Sequence, residues 1–323
     1  MLRELWYNSF KNNKWILLVS LTTLRIATRK SPLAMRQTEM VKAQLLAINP
    51  ALDIQLLPFQ TKGDTFLNQS LSKIGGKGLF VKELETALLE NKADLAVHSM
   101  KDMPYELPIG LGIHAILKRE DPRDALISNQ GKTFLELPAG SRIGTSSLRR
   151  ACQLLSLRND LEITPLRGNI NTRLNKRHEF DAIVLAAAGL IRMDFEHEIT
   201  HYLAPSELLP AAGQGALGIE CRNQDTELKA LLSQLTCLKT QRCVLAERMV
   251  IKRLQGSCQV PLAAFATLKE DELFLHALVG RHDGSEILTA NGSSSTLSPE
   301  ELGQEIANKL IEKGVQVILN DYI

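Results

Sequence analysis

From Leu24 onward, short apolar runs of strand type alternate with stretches whose apolar residues recur at helical spacing. Leu24–Thr28 reads as a strand, and Pro32–Ala47 as a helix with proline in its first turn. Asp53–Pro58 reads as a second strand. After a glycine-rich stretch, apolar residues at 80, 81, 84, 87 and 88 predict a helix over Phe80–Glu90. Asp94–His98 is a strand of the fully buried type. This β-α-β-α-β order predicts a doubly wound α/β unit.

A second unit restarts at Ser141, where Arg142-Ile143-Gly144-Thr145 echoes Arg25-Ile26-Ala27-Thr28. A helix through Ser147–Leu157, a strand at Leu161–Thr164, a helix around Ile170–Arg177 and a strand at Asp181–Leu185 follow. The echo predicts two similar α/β units, which place ligands in the cleft between them at the C-terminal ends of strands. From about residue 238 the pattern changes. A helix over Gln241–Leu254 stops at Gly256, and strand-like pieces lead to a final helix over Pro299–Lys313. That is a small α+β unit.

The length, 323 residues, agrees with two or three domains. A hydrophobic fraction of 44%, a charged fraction of 23% and a net charge of +2 describe an ordinary globular chain. The charge balance gives no strong attraction to nucleic acid or to an anionic membrane, and 5% aromatics offer few stacking platforms. Cys152, Cys221, Cys237, Cys243 and Cys258 are odd in number and form no C-x-x-C, so a disulfide framework or a zinc site is not expected and a reducing compartment fits. Trp15–Val19 is apolar behind a polar, mildly basic start. No small-residue cleavage site follows before the first strand, so residues 1–23 read as an extension rather than a secretion signal. No apolar run approaches the roughly 20 residues that span a bilayer.

Several stretches carry possible chemistry, each beside a plainer reading. His197-Glu198-Ile199-Thr200-His201 has zinc-protease spacing, with Glu220 as a conceivable third ligand, but a short charged helix face explains it as well. Gly75-Gly76-Lys77-Gly78 lacks the spacing of a nucleotide loop and reads better as a loop presenting Lys77 to an anion, or as a plain turn. Arg29, Arg149, Arg150, Arg167, Arg173 and Arg192 recur beside hydroxyl-rich or glycine-rich turns such as Thr145-Ser146-Ser147. Together they would suit a ligand bearing many carboxylates, although any one alone would be a surface arginine. Asp102 follows a buried strand, where active-site carboxylates of α/β sheets sit and where an Asp also caps turns. Cys258 lies in a Gly/Pro loop that would expose its thiol. The other four cysteines read as buried and inert.

Taken together, LRIATRKSPLA (24–34), GGKGLFVKELE (75–85), AVHSMKDMP (96–104), REDPRDA (119–125), GTSSLRR (144–150), LRGNINTRL (166–174), LPAAGQGALGIE (209–220) and GSCQVP (256–261) resemble the porphobilinogen deaminase, or hydroxymethylbilane synthase, family. The resemblance runs in the family's order from about residue 24 to the end. It implies an α/β fold of two lobes like those of a periplasmic binding protein, plus a small C-terminal α+β domain. The implied division is an extension over 1–23, a first lobe of 24–117 plus about 211–236, a second lobe over 118–210, and a third domain over 237–323.

The resemblance also implies a transferase of tetrapyrrole (haem) biosynthesis. Four porphobilinogen molecules join head to tail with loss of ammonia, and water releases the linear product. The chain grows on a dipyrromethane cofactor held by a thioether to Cys258. Asp102 is the implied catalytic carboxylate, stabilising the cationic pyrrole left when the amine departs. Arg29, Ser31, Lys77, Ser99, Lys101, Thr145, Ser146, Ser147, Arg149, Arg150, Arg167, Arg173, Arg192 and Gln214 match positions that bind carboxylates of cofactor or substrate. No metal, nucleic acid or membrane is implied, and a cytoplasmic monomer is expected. Ser257 stands where the family pattern has glycine, and residues 1–23 have no counterpart. A two-lobed solute-binding protein without chemistry is the rival reading, because fold alone does not fix function.

Overall fold

In the computed structural model of the chain, which describes residues 22–65, 78–256 and 260–322, β1 (Thr23–Arg29) leads into α1 (Pro32–Ile48). The helix starts where the sequence signals it. Ser31 is its N-cap, accepting a hydrogen bond from the Ala34 amide at 3.3 Å, and Pro32 occupies the first turn. β2 (Asp53–Phe59), the short α2 (Lys62–Thr65), α3 (Lys82–Leu89), β3 (Leu95–Ser99) and β4 (Leu111–Ile116) follow. The helix expected from Phe80 begins at Lys82. Gly78 has φ +84°, outside helical space, so residues 78–81 form a turn.

The chain then crosses to the second lobe, which comprises β5 (Asp124–Ser128), β6 (Arg142–Gly144), α4 (Leu148–Leu157), β7 (Glu162–Thr164), α5 (Ile170–Asn175), β8 (Ala182–Ala186), α6 (Ala187–Arg192) and β9 (His201–Leu203). It returns as β10 (Leu217–Arg222) and α7 (Thr226–Ser233). The sheet orders are β2-β1-β3-β10-β4 and β7-β6-β8-β5-β9. In each, three parallel strands are followed by one antiparallel strand contributed across the crossover. β1 and β6, which carry the echoed tetrapeptides, hold the same place in the two sheets. The two similar α/β units expected from the echo are present.

Parallel strands need cover on both faces, and their apolar runs supply the surface for it. In the first sheet, Leu24, Ile26, Val97 and Ile219 pack beneath Val41 and Leu45 of α1 and Leu228 and Leu231 of α7. On the other face Ala27 and Ala96 meet Leu84, Ala87 and Leu88 of α3. Each fully buried leucine or valine contributes about 1.5–3 kcal/mol.

The last unit is an antiparallel meander of β11 (Leu262–Lys269), β12 (Glu272–Gly280) and β13 (Ile287–Ser294), with α8 (Leu238–Arg253) and α9 (Pro299–Glu312) on one face and α10 (Val315–Leu319) at the end. Val250, Leu275, Ile306 and Leu310 form its core. The opposite face of the meander, through Ala263 and Leu278, packs on Leu209.

The zinc-protease spacing does not form a helix. His197 and Glu198 lie in one 3-10 turn, Ile199 is extended, and His201 opens β9. Glu198 pairs with Arg177, and Glu220 is bonded to His98 in the other sheet. The two histidines therefore share no helix face, because β9 must be extended to pair with β5.

Candidate functional site

β3 ends in a 3-10 turn, Met100–Asp102, at the C-terminal edge of the first sheet. The Met100 amide donates to Ala216 O at 3.0 Å, which ties the turn to the chain returning from the second lobe. Gly213 makes that approach feasible. Its φ is +72°, and a Cβ there would stand 2.8 Å from Met100 Cβ and 3.1 Å from Lys101 N. Lys101 and Asp102 are thus presented, half-buried, at the point where the strand order changes direction.

The second lobe supplies Arg149 and Arg150 from the first turn of α4. Ser147 caps that helix, accepting from the Arg150 amide. Both guanidiniums are buried and converge on Asp124, which is fully buried at the first position of β5. Arg149 Nη2 lies 2.8 Å from Asp124 Oδ2, and Arg150 Nη2 lies 2.7 Å from Oδ1. Arg149 also donates to Leu209 O and Arg150 to Val184 O. Burial would push the Asp124 carboxyl up, but the two arginines outweigh it and hold the group at about 2. Asp124 was not among the residues the sequence pointed to. The signal for it was an acid opening an otherwise apolar strand, which must be paid for by buried cations.

Lys101, Arg149, Arg150, Arg167 and Arg173 share one electrostatic field with Asp102 and Asp124. Burial pushes the Lys101 ammonium down to about 8, with the nearby arginines adding to the shift against Asp102 and Asp124. Burial and the Arg150 charge bring Arg173 down to about 10. Arg173 donates to Gly168 O and, among the described residues, has no carboxylate partner. Lys101, Arg149, Arg150 and Arg173 therefore face Asp102 and Asp124, so cations outnumber carboxylates within a cleft that disfavours charge. A ligand bearing several carboxylates fits this donor set.

The structure does not bring every expected residue into that field. Arg29 is bound to Asp64 and lies over the Phe80 ring, 4.3 Å from its centroid. Arg192 is buried at the end of α6 and donates to Gly215 O at 2.6 Å. Ser31, Thr145 and Ser147 use their hydroxyls as local acceptors, Ser146 donates to Leu166 O, and Ser99 exchanges hydrogen bonds with Gln37. Gln214 donates to Pro122 O and to Asp124 Oδ1, so it braces the arginine pair. Lys77 and Cys258 lie outside the described residues.

The other cysteines divide. Burial pushes the thiols of Cys152 and Cys221 up to about 12 and that of Cys243 up to about 11. Cys237 departs from the inert reading. It is half-buried at the N-cap of α8 and, although desolvation opposes it, hydrogen bonds from Thr240 hold its thiol below the ordinary value.

The third domain is fastened to the crossovers through Glu247 of α8. Its carboxylate takes Arg119 at 2.8 and 2.6 Å, the Gly213 amide at 2.7 Å and the Ala266 amide at 2.8 Å. One buried carboxylate thus touches both connections between the lobes and the first strand of the meander.

Comparison with solved structures finds the periplasmic aliphatic sulphonate binding protein SsuA from Escherichia coli, at 15% identity over 72% of this chain and 70% of that one, with a TM-score of 0.39. A TRAP periplasmic solute binding protein from Pseudomonas putida F1 matches at 11% identity over 68% and 78%, TM-score 0.37. The periplasmic domain of B. pertussis BvgS matches at 14% over 68% of this chain and 40% of that one, TM-score 0.37. These weak likenesses carry no part of the assignment. Two family models do. "Porphobilinogen deaminase, dipyromethane cofactor binding domain" matches residues 24–230, and "Porphobilinogen deaminase, C-terminal domain" matches residues 241–312. With a match spanning both lobes and the third domain, the chain belongs to the porphobilinogen deaminase family.

Proposed function

We propose that this chain is a hydroxymethylbilane synthase that works through Asp102, with Cys258 as the attachment point of its dipyrromethane. The observation that carries the residue assignment is that Lys101, Arg149, Arg150 and Arg173 outnumber Asp102 and Asp124 around the Met100–Asp102 turn. Porphobilinogen carries an acetate and a propionate on each ring, and so does every pyrrole of the growing chain. In this reading Lys101, Arg167 and Arg173 would hold such carboxylates, while Asp124 and Gln214 keep Arg149 and Arg150 in position. When bound, the dipyrromethane supplies the pyrrole carbon at which the chain grows and carboxylates for these cations to hold.

Asp102 performs the electrostatic step. As the substrate's C–N bond breaks, its electron pair leaves with ammonia and positive charge develops on the substrate pyrrole. A carboxylate at the pyrrole N–H stabilises that charge and fixes the ring plane, a contribution of the kind worth about 10²–10⁴-fold. The domain bounds 24–117 plus about 211–236, 118–210 and 237–323, a cytoplasmic location and a monomeric state belong to the same proposal. No helix among the described residues is long and apolar enough to cross a membrane. The solute-binding alternative is not favoured, because the family match extends through the third domain.

The experiment is porphobilinogen turnover by the purified holoenzyme, with ammonia measured beside substrate loss. Equal molar release supports the reading. Asp102→Asn should retain fold and bound porphobilinogen while kcat falls by at least about 10²-fold. Binding of porphobilinogen without ammonia release by wild type would contradict it.

A further inference from the structure

One buried group of ionisable side chains has no part in this mechanism. His98 Nε2 of β3 lies 3.0 Å from Glu220 Oε2 of β10, and the two side chains are 3% and 0% exposed. The pair is a diagonal one across the ladder, since His98 faces Gly218 and Ala96 faces Glu220. Gly218 leaves room for Met100 there, as a Cβ would fall 2.2 Å from the Met100 sulfur. Glu85 of α3, itself buried, lies within the field of Glu220. Glu85 Oε1 and Glu220 Oε1 are both buried without a hydrogen-bond partner among the described residues.

Two carboxylates and one imidazole therefore share a site between α3, β3 and β10. These elements lead respectively from the glycine-rich loop, into the Met100–Asp102 turn, and away from the crossover. We infer that Glu85, Glu220 and His98 form a proton-holding positioning unit for the catalytic turn: a proton kept on Glu85 lets Glu220 remain the anionic acceptor for His98, and His98 in turn fixes the end of β3. The inference rests on the role proposed above for Asp102. Two buried carboxylates whose Oε1 atoms both lack a hydrogen-bond partner among the described residues repel when both are charged, and a proton on Glu85 relieves that repulsion. The charges facing Glu85 agree. Burial is the largest influence, the Glu220 charge adds to it, and Lys82 on the same helix opposes both, bringing the Glu85 carboxyl to about 7. His114 on β4 and Cys221 on β10 also lie in the field of Glu220; His114 is bonded to Asn223 at 3.0 Å.

The sign of the pH effect follows. The folded-state value of Glu85 lies above its ordinary 4.5, so its stabilising contribution is complete below that value and is lost as pH rises through about 7. The test uses the holoenzyme. Unfolding midpoints are followed from about pH 5.5 to 8.5 for wild type, Glu85→Gln and Glu220→Gln, with kcat and KM for porphobilinogen measured in parallel. The wild-type midpoint should fall through neutral pH. Glu85→Gln should flatten that fall, and Glu220→Gln should move it to lower pH. His98→Gln should lower kcat by about tenfold with KM within about twofold and cofactor content unchanged by mass. A Glu85→Gln midpoint that follows wild type over the whole range would overturn proton holding. A folded His98→Gln protein with wild-type kcat would overturn positioning. Absence of wild-type turnover would instead count against the proposed function, while the unfolding series would still report on the unit.

Discussion

Asp124 Oδ2 lies 2.8 Å from Arg149 Nη2 with the acid fully buried and the arginine 6% exposed. The contact joins the start of β5 to the first turn of α4, and Arg150 completes it from the next position. Removing the acid leaves two buried guanidiniums uncompensated, a loss of about 3–5 kcal/mol for a broken buried pair. Asp124→Asn should therefore lower the free energy of unfolding in urea by roughly that amount at neutral pH, where the wild-type carboxylate is ionised. Because the folded-state value of Asp124, about 2, lies below its ordinary 3.8, the wild-type advantage should be present above 3.8 and shrink as pH falls toward 2.

Glu247 offers a second structural test. It accepts from Arg119 twice and from the Gly213 and Ala266 amides. Glu247→Leu strands all of these donors. We expect a destabilisation of about 3–5 kcal/mol and faster proteolytic cleavage in the two crossovers that carry Arg119 and Gly213. Wild-type resistance to protease would argue against the fastening.

Lys101 gives a prediction about substrate affinity. Its ammonium titrates at about 8, so the cleft loses a positive charge as pH rises through that value. KM for porphobilinogen should rise above pH 8 in wild type, and Lys101→Arg, which stays charged, should remove that limb. Parallel profiles in the two proteins would refute the role of Lys101 charge.

Cys237 should be the most reactive of Cys152, Cys221, Cys237 and Cys243. Its thiol is held below the ordinary value and is half-exposed, whereas the others are buried with thiols pushed upward. Limited alkylation near neutral pH, mapped by peptide mass, should mark Cys237 first among these four.

Local pattern made much of the fold legible. Helices α1, α4 and α9 carried proline or serine signals at their starts, and the strands at 24, 53, 95 and 182 were short apolar runs. The echo between 25–28 and 142–145 exposed the paired lobes because both tetrapeptides build the same strand of like-ordered sheets. β10 was harder. It completes the first sheet 100 residues after β4 ends, and no local period encodes such pairing. The positions of Asp102 and the arginines were legible as residue types beside strand ends and turns. Their partners were not. Asp124, Glu247 and the His98–Glu220–Glu85 group matter through contacts made over long sequence separations, which single residues do not announce. The zinc-protease spacing failed for the same reason in reverse, since pairing of β9 with β5 overrode the helical reading.

The most direct test is the denatured intact mass of freshly purified protein with peptide mapping, before and after incubation with porphobilinogen. An added dipyrromethane is expected on the peptide containing Cys258, with further substrate units appearing transiently on wild type and failing to accumulate on Asp102→Asn. A mass that stays unmodified after incubation, or an adduct on any cysteine other than Cys258, would contradict it.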